Sequence, residues 1–131
     1  MEAMRIETAQ YQSSIAEATE QATAAEASGF DSWWATETKS DVFLSAAGGA
    51  AATDAIRVGT GIAVALARNP MLVAIQANDI QTYSAGRFSL GLGSQIKPHI
   101  ERRYSMPYSA PAARMREFIL AVRAIWTSWE R

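Results

Sequence analysis

The sequence predicts an α/β fold: four β-α units in series, forming a parallel sheet with right-handed crossovers. Three observations carry this. Short β-branched or aromatic runs alternate with Ala-rich helical patterns along the chain. Helix signals bracket those patterns, with Ser14 and Asn69-Pro70 as starts and Gly29 and Gly86 as stops. Glycine-rich or polar residues recur at the predicted strand ends, at Glu37–Asp41, Gly61–Ala65 and Gly93–Gln95. This order brings them to one edge, and in α/β proteins the C-terminal edge of the strands is where ligands sit.

Each element has a local reason. Met4–Tyr11 alternates loosely and suits a short first strand. Ser13 or Ser14 then offers an N-cap, and Glu17 stands three residues after Ser14 as in a capping box. Ile15–Ser28 is rich in Ala, Glu and Gln and puts Ile15, Ala18, Ala22 and Ala25 on one face. Phe30–Thr36 (FDSWWAT) is an aromatic-rich second strand. Val42–Thr53 reads as a second helix, weakened by Gly48-Gly49. Ile56–Pro70 (IRVGTGIAVALARNP) is a buried strand whose C-terminal end loosens and feeds a helix opened by an Asn cap and Pro. Its glycines allow close backbone approach to a ligand, or backbone angles closed to other residues, or simply packing. The third helix keeps Val73, Ala77, Ile80 and Ser84 on one face. Arg87–Ser94 (RFSLGLGS) is a fourth strand, a polar connection runs from Ile96 to Ala110, and a last helix runs from Pro111 to about Trp129.

Composition narrows the function. The 131 residues suit one domain, and 49% are hydrophobic. The formal net charge of −1 gives no footprint for nucleic acid or an anionic membrane. There are ten Arg and two Lys, with six of the Arg between Arg87 and Arg123. There is no Cys, so disulfides, thiolate nucleophiles and Cys metal sites are excluded and an intracellular, cytoplasmic protein is expected. The N-terminus does not read as a signal peptide, and no apolar run approaches the ~20 residues of a membrane span.

The motifs leave alternatives open. Gly91-Leu92-Gly93-Ser94-Gln95 lacks the third glycine of a dinucleotide fingerprint and is followed by a loop, not a helix. His99, the sole His, cannot build a typical zinc site, and no metal is expected. As a general base it needs an orienting partner, for which Glu101 is a candidate; otherwise it is a loop His. Glu37 and Asp41 are paired acids, ligands to a hydroxyl-bearing group, or solvated charges. Glu101-Arg102-Arg103-Tyr104 suits an anion, an ion-paired turn or a subunit contact. Trp33-Trp34 and Trp126/Trp129 read as core or interface.

Several stretches together resemble the luciferase-like flavin and deazaflavin oxidoreductases, most closely the branch using coenzyme F420. They are FDSWWATET, Gly59-Thr60-Gly61-Ile62, Arg68-Asn69-Pro70, Ser84-Ala85-Gly86-Arg87-Phe88 and Gly91-Leu92-Gly93-Ser94, with spacing that fits without gaps to about Trp126. The resemblance implies a (β/α)4 half of a TIM-type barrel over residues 1–131, with helices outside and a ring cofactor at the C-terminal strand ends. It implies coenzyme F420, or alternatively FMN, and hydride transfer to or from an organic substrate. It places a non-proline cis peptide at Gly61–Ile62, behind the ring, and puts Ala63 and Val64 along the ring. Glu37 matches the family's acid, whereas Thr38 stands where His is frequent, and Ile96 where some members carry a proton-donating Glu. The cofactor-contacting set so implied is Glu37, Thr38, Gly61, Ile62, Ala63, Val64, Gly93, Ser94 and Gln95, with Glu37 and His99 as candidate catalytic groups. A complete barrel takes ~250 residues. Half of one is expected to lack the usual phosphate site, to be inactive alone, and to associate as a homodimer or higher oligomer. The alternative is a non-catalytic scaffold that self-associates or pairs with a complementary half.

Overall fold

A computed structural model describes residues 3–131. The chain forms two compact units: Met1–Ala63 with Asp79–Gly91, and Val64–Asn78 with Leu92–Arg131.

The first unit holds the sheet. Its strands are β1 (Glu7–Gln10), β2 (Ser32–Ala35), β3 (Arg57–Thr60) and, after β4 (Ala63–Val64), β5 (Phe88–Ser89). The sheet order is β1-β2-β3-β5, and its neighbours are parallel. The register is regular: Ala35 of β2 lies beside Gln10 of β1 and Thr60 of β3. Helices α1 (Ile15–Ala27) and α2 (Val42–Ala51) make the crossovers and pack on each other. Ala18, Ala22 and Ala25, the small face expected from the sequence, are buried. The Trp33 indole is fully buried against α2, where a side chain at Gly49 would come within 2.7 Å of the ring.

Local signals explain the helix ends. The Ser14 hydroxyl caps α1 by accepting from the Glu17 amide at 3.1 Å. The returning Glu17 carboxylate accepts from Ser13, at 2.7 Å from its amide and 2.6 Å from its hydroxyl, so the capping box is shifted by one residue. At the other end Gly29 has φ +81°, its amide reaches Glu26 O, and Phe30 N reaches Ala25 O, closing a Schellman motif. Asp41 caps α2 by accepting from Phe43 N and Leu44 N, both at 2.9 Å.

The sheet departs from the expected pattern in two places. The third strand does not run on to Ala65. It stops at Thr60, the Gly61–Ile62 peptide is cis as the family resemblance implies, and Ala65–Ala67 is a 3-10 turn. The fourth strand splits into β5 and β6 (Leu92–Gly93). The cause is visible at Gly91, whose amide donates to the Thr60 hydroxyl at 2.9 Å instead of to a strand backbone.

The second unit contains β6, the 3-10 turn and α4 (Pro111–Trp129). Helix α3 (Pro70–Tyr83), started by the Asn69 side chain accepting from Met71 N at 2.8 Å, begins in this unit and ends in the first. Helix α4 packs on the 3-10 turn, buries Phe118 and Val122, and sends the Trp126 Nε1–H to Ala74 O at 3.1 Å. Ile119, the residue next to Phe118, is exposed. The connection before α4 is not structureless: His99–Arg103 is a single π-helical turn around buried Ile100. Among the described residues no helix is long and apolar enough to cross a membrane.

Candidate functional site

The C-terminal ends of β2 and β3 lie side by side because the strands are parallel and in register up to Ala35 and Thr60. The next residues continue that pairing once, through Gly61 N donating to Ala35 O at 2.7 Å. Beyond it the chain delivers Glu37 and Thr38 from β2, and Gly61, Ile62 and Ala63 from β3. Glu37, Thr38, Gly61 and Ile62 are half-buried, and Ala63 is buried. The Glu37 carboxylate accepts from the Val42 amide at 3.4 Å, at the start of α2. The edge therefore combines a backbone shelf without polar side chains and a neighbouring carboxylate.

The glycines here have a packing cause that the sequence left as one option among several. A Cβ at Gly59 would overlap the Trp34 indole, and one at Gly61 would sit 3.3 Å from Trp34 Cβ. A Cβ at Gly91 would overlap the Thr60 carbonyl oxygen. The positive-φ glycines are Gly29 and Gly86, so unusual backbone angles do not explain Gly59, Gly61 or Gly91. Trp34 is itself fixed, since its Nε1–H donates to Glu7 at 2.9 Å.

Two side chains missed in the sequence hold this edge together. Thr60, fully buried, donates to Gly91 O at 2.9 Å and accepts from Gly91 N at 2.9 Å. Gln12, also buried, donates its amide to Thr36 O and accepts from Thr36 N at 3.3 Å. Thr60 lies inside the Gly59-Thr60-Gly61-Ile62 stretch. A glutamine in the loop between the first strand and first helix carried no signal at all.

The remaining predicted residues belong to the second unit. Val64 is buried, and Gly93, Ser94 and Gln95 are half-buried. Gln95 has φ +59°, and its carbonyl accepts from the Tyr108 hydroxyl at 3.2 Å. His99 is exposed and its Nδ1 lies 3.2 Å from Gln95 Oε1. Its partner is thus Gln95, not Glu101, whose carboxylate instead lies 3.9 Å from Lys97 across one helical turn. Arg103 sits over the Tyr104 ring at 5.5 Å. Ile96 is exposed. Among the described residues no cluster of three or more His, Cys, Asp or Glu could hold a metal ion.

Comparison with known proteins gives the family and the fold. Residues 3–131 match the family model for luciferase-like monooxygenases. The Mycobacterium tuberculosis protein Rv1360 is 53% identical over 116 residues, which are 88% of this chain and 34% of that protein. Rv3520c of the same organism, provisionally named a coenzyme F420-dependent oxidoreductase, is 36% identical over 104 residues, 79% of this chain and 30% of that protein. This chain therefore spans about a third of the length of these relatives.

Solved structures show the same fold. The monooxygenase RslO1 of Streptomyces bottropensis superposes with a TM-score of 0.82 at 20% identity, over 94% of this chain and 43% of that one. The oxygenating constituent of 3,6-diketocamphane monooxygenase from Pseudomonas putida, solved with FMN, gives 0.81 at 19% identity, over 95% and 40%. The F420-dependent tetrahydromethanopterin reductase of Methanopyrus kandleri gives 0.71 at 20% identity, over 79% and 30%. The parallel β-α units are thus part of a TIM-type barrel, and the chain belongs to the luciferase-like monooxygenase family.

Proposed function

We propose that this chain supplies the N-terminal, ring-binding part of an F420- or flavin-dependent oxidoreductase, with F420 preferred and FMN the alternative. The observation that carries the reading is the edge formed where β2 and β3 end: a half-buried Gly61–Ile62 shelf beside the Glu37 carboxylate. A flat tricyclic ring fits such a surface. Its face needs apolar contact, and its polar rim needs backbone groups or a few side chains. The group, when bound, supplies the hydride chemistry. The chain's own residues bind and orient it. Gly61, Ile62 and Ala63 offer the shelf, with Val64 the next residue along. Glu37 and Thr38 stand at the rim, and Gly93, Ser94 and Gln95 complete the set drawn from the family pattern. Glu37 is the candidate for holding a proton, with His99 the weaker one, because its Nδ1 is engaged with Gln95 and its ring is exposed.

The Rv3520c likeness supports the deazaflavin preference, and the FMN-bound Pseudomonas putida structure supports the alternative. We propose that these β-α units taken alone bind the ring without turnover, because TIM-type barrels usually build the phosphate site after strands seven and eight. Self-association of such a partial barrel belongs to the same reading. Fluorescence titration of the purified chain with F420 and with FMN tests it. Saturable binding of one of them, weakened in Glu37→Gln, is expected; no binding of either at tens of micromolar overturns it.

A further inference from the structure

We propose that Gln12 is a positioning residue for the ring-binding edge. It fixes the backbone of Thr36, and thereby the point from which Glu37 and Thr38 leave β2. Its consequence for cofactor affinity rests on the reading above; the placement itself does not.

The argument begins with burial. Gln12 is 2% exposed, unusual for a glutamine, and a buried amide must be satisfied on both its polar ends. Both ends go to one residue. The Gln12 amide donates to Thr36 O, and its Oε1 accepts from Thr36 N at 3.3 Å. Thr36 is also tied by its hydroxyl, which lies 3.1 Å from Gln10 O and 3.3 Å from Gln12 Oε1. The side chain thus imitates a strand partner one step past the last ladder pair, Gln10 with Ala35. Without it, the Thr36 peptide would leave the sheet with its donor and acceptor free to turn, and Glu37 with them.

The same device recurs two strands away. Thr60 bonds both the N–H and the C=O of Gly91, again one step beyond a ladder. Two buried neutral side chains doing the same thing at one edge hold its strand backbone without adding a charge to that of Glu37. A charged clasp there would compete electrostatically with any ligand carried by the shelf.

Three variants of the 131-residue chain test this. Gln12→Met keeps the volume and removes both hydrogen bonds. Gln12→Glu keeps the acceptor towards Thr36 N and, when ionised, loses the donor. Gln12→Ala removes everything. Amide hydrogen exchange is read first, with no cofactor present, on protein confirmed folded by circular dichroism. Gln12→Met should speed exchange of the Thr36 and Glu37 amides by about three- to tenfold, as expected for one lost hydrogen bond, with Val58 unchanged; Gln12→Glu should retain the Thr36 protection. The Kd for F420 and for FMN is read second. Gln12→Met should raise the Kd of the ligand that binds by about three- to tenfold, with Gln12→Glu in between, a graded rescue that general loss of stability does not produce. Wild-type exchange rates in folded Gln12→Met, or altered exchange with unaltered Kd, overturns the proposal. If the wild type binds neither ligand, the cofactor reading falls, and the exchange arm alone decides whether Gln12 places Thr36.

Discussion

The two ends of the β1-β2-β3-β5 sheet are held by opposite chemistry. At the N-terminal end the stitching is ionic. The Arg87 guanidinium spends all five of its N–H donors on Ser84 O, Thr53 Oγ1, Ile56 O, Ala50 O and Thr53 O, at 2.8 to 3.1 Å. Opposite in charge, the Glu26 carboxylate gathers the amides of Asp54, Ala55 and Ile56, with its shortest contact 2.7 Å from Ala55 N. Asp31 accepts from Ile6 N at 2.7 Å. At the C-terminal end the strand backbones are held by neutral Gln12 and Thr60, with glycines around Trp34. The carboxylates there, Glu37 and Asp41, bond the first amides of α2 instead of the strands. Charges that are saturated by backbone lock a turn and bind nothing else. Neutral clasps hold the backbone and leave its outer face available. In barrels of this class the N-terminal face carries stability and the C-terminal face carries the chemistry.

Variants at the two ends should therefore separate stability from binding. Arg87→Ala strands several backbone acceptors and should cost about 3 kcal/mol in urea unfolding, while leaving F420 affinity of the folded fraction unchanged. Arg87→Lys should recover only part, since an ammonium cannot reproduce the planar fork. Gly91→Ala forces a methyl onto the Thr60 carbonyl and should cost about 2 to 3 kcal/mol, together with a loss of ring affinity. Thr60→Val keeps the shape and removes both bonds to Gly91; about 1 to 2 kcal/mol is expected, again with weakened binding. The smallest effect is at Glu26. Amide hydrogen bonds from Ile56 and then Ala55 hold its carboxyl below the usual range. A depressed folded pKa gives stability that is present above the unfolded value and lost as pH falls through the folded one. The wild type should thus lose its advantage over Glu26→Gln as pH drops below about 4.5, the ordinary carboxyl value. Because the half-buried carboxylate is still screened by solvent, less than about 1 kcal/mol is at stake. An affinity loss in Arg87→Ala equal to that in Thr60→Val would erase the contrast.

Much of the fold was legible because its signals are local. Ser14, Gly29 and Asn69 mark helix ends through bonds to their own neighbours, and Pro70 through its fixed φ, so a short window of sequence contains the whole signal. The alternation of elements sufficed for the parallel order. The cis Gly61–Ile62 bond came only through the family resemblance, since nothing in the residues Gly and Ile themselves demands it. Most of what stayed hidden depends on partners 20 or more positions apart. Gln12 meets Thr36 24 residues on, Thr60 meets Gly91 after 31, and Arg87 reaches back 37 residues to Ala50. A lone Gln, Thr or Arg reads as surface until the sheet register brings its acceptor alongside. The glycines were visible, but their cause was not, because the Trp34 ring that fills the space comes from the neighbouring strand. The π-helical turn at His99–Arg103 carries no periodic apolar pattern of its own, so neither it nor the pairing of His99 with Gln95 is legible in the sequence.

The contrast between the two ends reduces to where a ligand leaves its mark. Amide hydrogen exchange of the wild-type chain, with and without saturating F420 and with FMN in parallel, reads both ends in one experiment. Protection on binding should appear at Thr36–Thr38 and at Gly61–Ala63, with Asp54–Ile56 unchanged. Protection at Asp54–Ile56, or saturable binding that leaves Gly61–Ala63 exchanging at its free rate, would contradict the account.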